Sequence, residues 1–515
     1  MNKQSIISLF IISSSGVLFG WNLVPSTTPW ISWLSIAILW EGLTFNPFII
    51  PESLTIRAAL VSCLWGFIAV LVSHRWLLWL HPIGWIGIPN FLSFPISLLL
   101  LIGLAIAGAL LVGTWGVLAI WLDPRRPFSA FILAGIWGLA EIFLAKGPLF
   151  WIGLGISTLP GDRILTSFAA LGGMGTLAAM QLLIGWSFWK LVLITQNNSK
   201  HIKSSVLLWV ILISCLHIVL YSHTEVISNH NIYKTSLTST SGLEKILVWQ
   251  PSIPTREKFG LKEQIKLLAK LKTIESYSST LSIPLVLAPE GTLDINQFTH
   301  ENPTFELLTG GFHQSRNHIY SAVLDFIPTK NQTVSWTNKR RLVPLGEWVP
   351  FRRIWQWDGL SAIGGIDQGT SPRILNREKE TIGIGICYEL SDGTTLAAAT
   401  HVGIHWLIVL GNLDPYRGLL QKQFEALAQL RAIETGRWLV SVVNTGPSSV
   451  INNQGAGHKI LPAFLPSLGI IELRRTIHLT PYDIFGEWFL AIIILGAGII
   501  LALSKSIKPP LDNRV

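Results

Sequence analysis

The chain has 515 residues, half of them apolar and only 13% charged, with a mean hydropathy of +0.49. That excludes a single water-soluble domain, which needs more charge to cover its surface, and points to membrane segments plus a second region. The formal charge of +9 does not indicate nucleic-acid binding, because many basic residues stand in short loops beside apolar runs, where they set topology.

In chain order, apolar runs predict eight membrane spans near 5–23, 28–46, 54–73, 94–121, 128–145, 165–194, 204–222 and 484–503. Glu41 and Pro47 make the second the weakest, and the fourth and sixth exceed what ~30 Å of hydrocarbon requires. The first run lacks a convincing small-residue cleavage site, and Trp21 with Pro25 fits a retained span. With the N-terminus inside, Lys3, Arg57, Arg125, Arg126, Lys200, Lys203, Lys505, Lys508 and Arg514 are cytoplasmic. The opposite short loops carry only Arg75, Lys146 and Arg163, so nine against three places both termini inside. The expected organisation is a helical membrane domain over 1–222, an extracytoplasmic domain over 223–483, and a last span with a cytoplasmic tail over 484–515.

The segment between the last two spans has a different character. Strand-like pieces stand at 245–250, 283–290, 318–326, 380–389, 403–412 and 438–446, and helix-like stretches at 257–274 and 419–436. Strands alternating with helices predict a layered α/β domain large enough to bury its own core.

Three patterns within it put reactive groups at strand ends, where α/β folds place their sites. LVLAPEGT delivers Glu290 into a Pro289–Gly291 turn, the strand in TIGIGICYEL ends at Cys387, and NKRRLVPLGEWVPFR joins Lys339 to Glu347. Singly each is ordinary. A turn glutamate is usually solvated, a cysteine after an apolar strand usually packs, and most of Lys339, Arg340 and Arg341 are expected in solvent or near anionic lipid. Together they form a complete set for acyl transfer: a thiol nucleophile, a carboxylate to take its proton, and an ammonium to stabilise thiolate or oxyanion. Cys63 and Cys215 lie in apolar runs, so Cys387 is the one cysteine of the polar region. The 13 histidines are scattered, no Cys/His ligand spacing is read, and no metal or cofactor is expected.

These patterns resemble the nitrilase superfamily, whose triad runs Glu–Lys–Cys in chain order on an α–β–β–α sandwich. With spans on both sides, the sequence is most similar to the bacterial apolipoprotein N-acyltransferases. KRRLVPLGEWVP (339–350) resembles that family's KxxLVPFGExVP, with Leu345 in place of Phe, and ICYE (386–389), Pro289–Glu290, LVWQPSIP (247–254) and Trp137–Glu141 followed by GPLFWIGLGIS (147–157) also match. The resemblance implies Glu290 as general base, Lys339 as oxyanion-stabilising cation and Cys387 as nucleophile. It gives Glu347 a supporting role, sets Tyr388 and Glu389 beside the nucleophile with the Tyr388 N–H as a second oxyanion donor, and keeps Asn412. The family's SNDAWFG reads GNLDPYRG here (411–418), and its NNG reads NTG (444–446), both near the expected substrate mouth.

The implied reaction is a two-step exchange: Cys387 takes an acyl group from a phospholipid, then passes it to the α-amino group of an S-diacylglyceryl cysteine on an apolipoprotein. Both substrates stay in membrane lipid, which Trp348, Phe351, Trp355 and Trp357 either enter or leave by packing in the domain core. A lid is expected at 345–370, where Ser361, Gly364, Gly365 and Gly369 loosen the backbone, or at 411–420. The residues also admit a membrane-tethered amidase, a transport or lipid-binding protein with an inactive domain, for which Glu41 and Glu141 are the acidic candidates, and a ligand sensor.

Overall fold

A computed structural model describes residues 3–25, 27–44, 53–84, 88–147, 150–197, 202–238, 244–255, 257–258, 260–293, 304–316, 318–328, 335–343, 347, 366–370, 373–377, 380–414 and 416–506. Each of the first seven apolar runs is helical: α1 (Lys3–Asn22), α2 (Trp30–Thr44), α3 (Leu54–Ser73), α4 (Asn90–Leu122), α5 (Pro127–Lys146), α7 (Ala169–Asn197) and α8 (Ile202–Thr238), with a short α6 (Arg163–Thr166) before α7. Among the described residues, five helices within α3, α4, α5, α7 and α8 are long and apolar enough to cross a membrane. The apolar stretches Ile6–Asn22 and Trp488–Leu503 are shorter, so a count of eight is not reached by length and composition. The protein is a multi-pass membrane protein.

Two boundaries differ from expectation. The sixth run breaks at Gly172 and Gly173, where the backbone leaves helical geometry (φ +75° at Gly173), and the Tyr482 ring stands 2.4 Å from where a Cβ on Gly173 would be. The seventh helix continues past residue 222 to Thr238. Helices approach closely at small residues: a Cβ on Gly138 would fall 2.3 Å from the Gly175 carbonyl oxygen, which only glycine allows.

Six strands form each of two sheets. In one, β1 (Glu244–Gln250), β2 (Leu285–Ala288), β3 (Glu306–Ser315), β4 (His318–Phe326) and β5 (Ser335–Asn338) follow one another, with β12 (Ser467–Leu473) outside β1. In the other the order runs β11 (Gly457–Leu461), β10 (Ser448–Ile451), β9 (Leu439–Val443), β8 (Leu407–Gly411), β7 (Thr381–Ile386), β6 (Ile374–Asn376). Pairs β1–β2, β2–β3, β7–β8 and β8–β9 are parallel. Parallel strands are covered on both faces and read as unbroken apolar runs, as LVLA and LIVLG do. Ile246, Leu287, Leu308, Ile384, Ile408 and Val440 fill the space between the sheets. Helix α9 (Leu261–Leu281) covers the outer face of the first sheet through Leu267, Leu271 and Ile274. Helices α10 (Gly393–Thr400) and α11 (Leu419–Thr435) cover the second. The expected α–β–β–α sandwich is therefore present, followed by α12 (Pro481–Phe485) and α13 (Trp488–Ser506).

The sandwich and the membrane helices share one core. Trp76, Leu165, Leu182, Leu396, Phe424 and Leu430 belong to a single buried cluster. Helix α11 is buried on nearly every side, and its polar residues serve the seam: Gln423 Nε2 donates to the carbonyls of Leu23 (3.2 Å) and Ser73 (3.1 Å) at the ends of α1 and α3. Helix ends carry unpaired carbonyls, so this bond satisfies groups that otherwise need water.

The acidic residues within spans act as internal struts. Glu41 accepts from Trp189 Nε1 (2.5 Å), while Glu141 accepts from Trp137 Nε1 (2.9 Å) and the Leu154 N–H (2.7 Å). The Glu141 bonds fix the segment after α5, which carries Phe150 to the sandwich.

Candidate active site

Glu290 follows β2, whose four residues are all buried, and enters a turn in which Thr292 Oγ1 donates to the Pro289 carbonyl (2.7 Å). Neighbouring β3 passes so close that a Cβ on Gly310 would lie 2.3 Å from the Glu290 Cα. Gly310→Ala is therefore expected to push Glu290 out of place and lower activity at least tenfold while membrane insertion is unchanged, checked by turnover per mole of folded protein; each 1.4 kcal/mol of misplacement is about tenfold.

Lys339 stands just past β5 and is fully buried. Its Nζ donates at 2.7 Å to Glu290 Oε1 and at 2.7 Å to Glu347 Oε1. Burial works against the ammonium, but the two carboxylates outweigh it and hold its pKa well above the usual lysine value. Burial raises Glu347, whose other oxygen takes the Val343 N–H (2.9 Å).

Cys387 follows β7 with a backbone φ of +46°, a left-handed conformation costing on the order of 1 kcal/mol for a side-chain-bearing residue. The chain then makes a 3₁₀ turn over Cys387–Ser391. Glu389 holds this turn: Oε2 accepts the Ile386 N–H (2.8 Å), Oε1 accepts those of Arg340 (2.7 Å) and Arg341 (3.2 Å), and Arg373 pairs with the carboxylate. One buried carboxylate thus ties the strand bearing Lys339 to the strand bearing Cys387.

Asn412, at the end of β8, stands between thiol and base. Its N–H donates to Glu290 Oε2 (3.0 Å), and its carbonyl lies 4.0 Å from Cys387 Sγ. The Asn412 side chain faces away, donating to Thr255 Oγ1 (3.0 Å) and accepting from Asn444 Nδ2 (3.0 Å). Asn412 and Asn444 clamp the two sheets together. Glu290, Lys339, Glu347 and Cys387 thus converge, whereas Tyr388, Glu389 and the Asn412 side chain form their surroundings.

The thiol of Cys387 is pushed well above the usual cysteine value, first by burial, then by the Glu290 charge, with Lys339 opposing. At neutral pH the resting group is SH, so attack on a carbonyl needs a base to take the proton in the same step. Among the described residues, the Glu290 carboxylate and the Lys339 ammonium are the charges that act on this thiol most strongly.

Two residues were not singled out from sequence. Lys258, buried next to the site, donates to the Glu290 carbonyl (2.6 Å), and burial lowers it to about 8. Tyr416, in the divergent loop, meets Trp76 edge-on at 5.2 Å. A lysine after a strand-and-proline stretch gives no local sign of burial, and Tyr416 declares itself only through a partner over three hundred residues away. His401 and His405, four apart, were also passed over. They are parted by a turn at Gly403, and their rings meet the Asp483 and Thr381 carbonyls.

Other expectations change. Arg341 is held at the seam with the membrane helices rather than in solvent or lipid, because helix-end carbonyls there need a donor; Arg340 is exposed. Within the expected lid at 411–420, Asp414 Oδ2 accepts the Thr255 N–H (2.8 Å). Gly369 donates its N–H to the Lys339 carbonyl (2.8 Å). Trp348, Phe351, Trp355, Trp357, Ser361, Gly364 and Gly365 lie outside the described residues.

No family model matches the chain. Apolipoprotein N-acyltransferases of two Prochlorococcus marinus strains are each 37% identical, one covering 95% of both chains and the other 98% of both. That of Parasynechococcus marenigrum is 39% identical over 82% of this chain and 88% of its own. The chain belongs to the apolipoprotein N-acyltransferase family. Like that family's members it is an acyltransferase. Among solved structures, Saccharomyces cerevisiae Nit3, of the nitrilase superfamily, aligns with a TM-score of 0.34 at 14% identity over 53% of this chain and 98% of its own. In this chain the strand ends of β2, β5, β7 and β8 carry the convergent residues, the position α/β sheets reserve for ligands.

Proposed function

We propose that the chain N-acylates the amino-terminal S-diacylglyceryl cysteine of lipoproteins, using a membrane phospholipid as donor and a thioester on Cys387 as intermediate. One observation carries this reading: Glu290 is bonded to Lys339 and to the N–H of Asn412, whose carbonyl faces the Cys387 sulfur, and the turn after Cys387 meets the end of a membrane helix through Arg341.

In the first step the sulfur attacks the ester carbonyl, and Glu290 takes the thiol proton. The C–S bond forms, the oxyanion is met by Lys339 and the Tyr388 N–H, and collapse breaks the C–O bond, with the proton passing to the departing lysophospholipid alkoxide. In the second, the acceptor's neutral amine attacks the thioester carbonyl. The C–N bond forms, the C–S bond breaks, and Glu290 relays the amine proton to sulfur. Glu347 keeps Lys339 in place. Acyl chains stay in the bilayer throughout, since exposing them to water costs about 0.8 kcal/mol per CH₂.

In the same reading, residues 1–222 form the membrane domain, 223–483 the catalytic domain outside the cytoplasm, and 484–515 the last span and tail. The protein sits in a bacterial inner membrane with both termini cytoplasmic. A reporter fused near residue 300 and active only in the cytoplasm would overturn that orientation.

The decisive experiment supplies acyl-labelled phospholipid vesicles and then a diacylated lipopeptide. The expected result is a labelled adduct on Cys387 by intact-protein mass spectrometry, followed by transfer to the peptide amine. Free fatty acid with no N-acyl peptide would instead mark a hydrolase of the amidase kind.

A further inference from the structure

Arg341 spends every described contact on two things, the nucleophile's turn and the end of a membrane helix. Its Nη1 donates to the Ala145 carbonyl and to Ser391 Oγ (2.6 Å), and its Nη2 donates to the Gly147 carbonyl. Those carbonyls close α5, where unpaired acceptors and the negative end of the helix dipole favour a cation. The same guanidinium lies 4.5 Å over the Tyr388 ring centroid, with Nη2 3.5 Å from the Tyr388 hydroxyl. Tyr388 in turn meets Phe150 at 5.6 Å, and Ser391 Oγ donates to the Tyr388 carbonyl (3.0 Å). The Arg341 main-chain N–H bonds the Glu389 carboxylate that steadies Ile386, the residue before Cys387.

We infer that Arg341 is a positioning residue that seats the Cys387–Ser391 turn on Ala145, Gly147 and Phe150 at the end of α5, and so aligns the thiol with acyl donors lying in the bilayer. The inference rests on the acyl-transfer reading above and adds a residue that reading does not use. No described contact links Arg341 to Glu290 or Lys339, so the base and the cation keep their bonds without it. The loss on removal therefore depends on the donor: a chain anchored in lipid needs the alignment, and a small dissolved ester does not. Lysine cannot replace it, since a point charge neither spans two carbonyls nor stacks flat on a ring.

The test compares wild type, Arg341→Ala, Arg341→Lys and Phe150→Ala as full-length protein in phospholipid vesicles. Three rates are measured: acylation of Cys387 by the vesicle phospholipid, acylation by p-nitrophenyl butyrate in solution, and alkylation by iodoacetamide. Expected is a fall in kcat/KM for the vesicle donor of about tenfold or more in both arginine variants, the scale of one lost charge-assisted hydrogen bond, and of about two- to tenfold in Phe150→Ala, the scale of one lost ring pair, with the two soluble reagents unchanged. Phe150→Ala guards against a misfolded arginine variant, since it loosens the same seat without removing a charge. Equal losses for all reagents, or no loss with the vesicle donor, overturns the inference. A wild type that alkylates with iodoacetamide but gains no acyl group from vesicles defeats the acyl-transfer reading instead.

Discussion

Cys387→Ser is expected to leave a folded, membrane-inserted protein that transfers acyl groups at least about three orders of magnitude more slowly. The two side chains differ by one atom, and the residue's left-handed backbone and its turn are held by Glu389 rather than by sulfur. What changes is acidity. A serine hydroxyl in a site that already raises a thiol well above its usual value has no accessible anion, and Glu290 then faces a much steeper proton transfer. Mass spectrometry after incubation with labelled phospholipid checks this directly. An acyl adduct accumulating at wild-type rate in the variant would refute a cysteine mechanism.

The second large effect is that of Glu290→Gln. The amide keeps the shape, so the fold survives, but its single oxygen receives only one of the Lys339 and Asn412 donors, and it accepts no proton. A loss of about 10²- to 10⁴-fold is expected, the usual span for a positioned general base. The pH profile is the sharper signature. Without the base, attack requires thiolate already present, and burial still holds the thiol high, so the anionic fraction grows tenfold per pH unit across neutrality. The variant's rate should therefore climb with a slope near one from pH 6 to 9, whereas the wild type does not depend on preformed thiolate. A variant profile parallel to wild type would mean that another group takes the proton.

Much of the catalytic domain was legible because its strands are apolar and end at chemistry. HIYSAVLDF was read to the residue as β4, and the runs ending at Glu290, Cys387 and Asn412 are buried parallel strands. Strand β3 escaped because Gly310 and Gly311 break its pattern; Gly310 allows the close approach of Glu290, and Gly311 that of Leu324 and Leu293, rather than serving strand propensity. The short β5 and β6 and the edge strand β11 take their form from neighbours and advertise little by themselves. Helix α11 reads as an ordinary surface helix, yet Gln423, Arg431 and Glu434 are buried, because its outer side meets the membrane helices rather than water. Burial raises Glu434 to about 7, with Arg431 opposing from 2.8 Å. Tertiary placement of this kind is invisible to a periodicity argument. The meeting of Glu290, Lys339 and Cys387 was legible only as a set of compatible chemistries, since nearly a hundred residues separate first from last.

The divergent loop over residues 411–418 serves Glu290 and faces Cys387 through the main-chain N–H and carbonyl of one residue, Asn412. Every amino acid except proline supplies those two atoms alike, so relatives can rewrite the loop's side chains while this alignment survives. Evolutionary drift there is free to retune what docks at the mouth without dismantling the machinery behind it, provided the neighbouring bonds of Thr255 and Asn444 keep the bend in register.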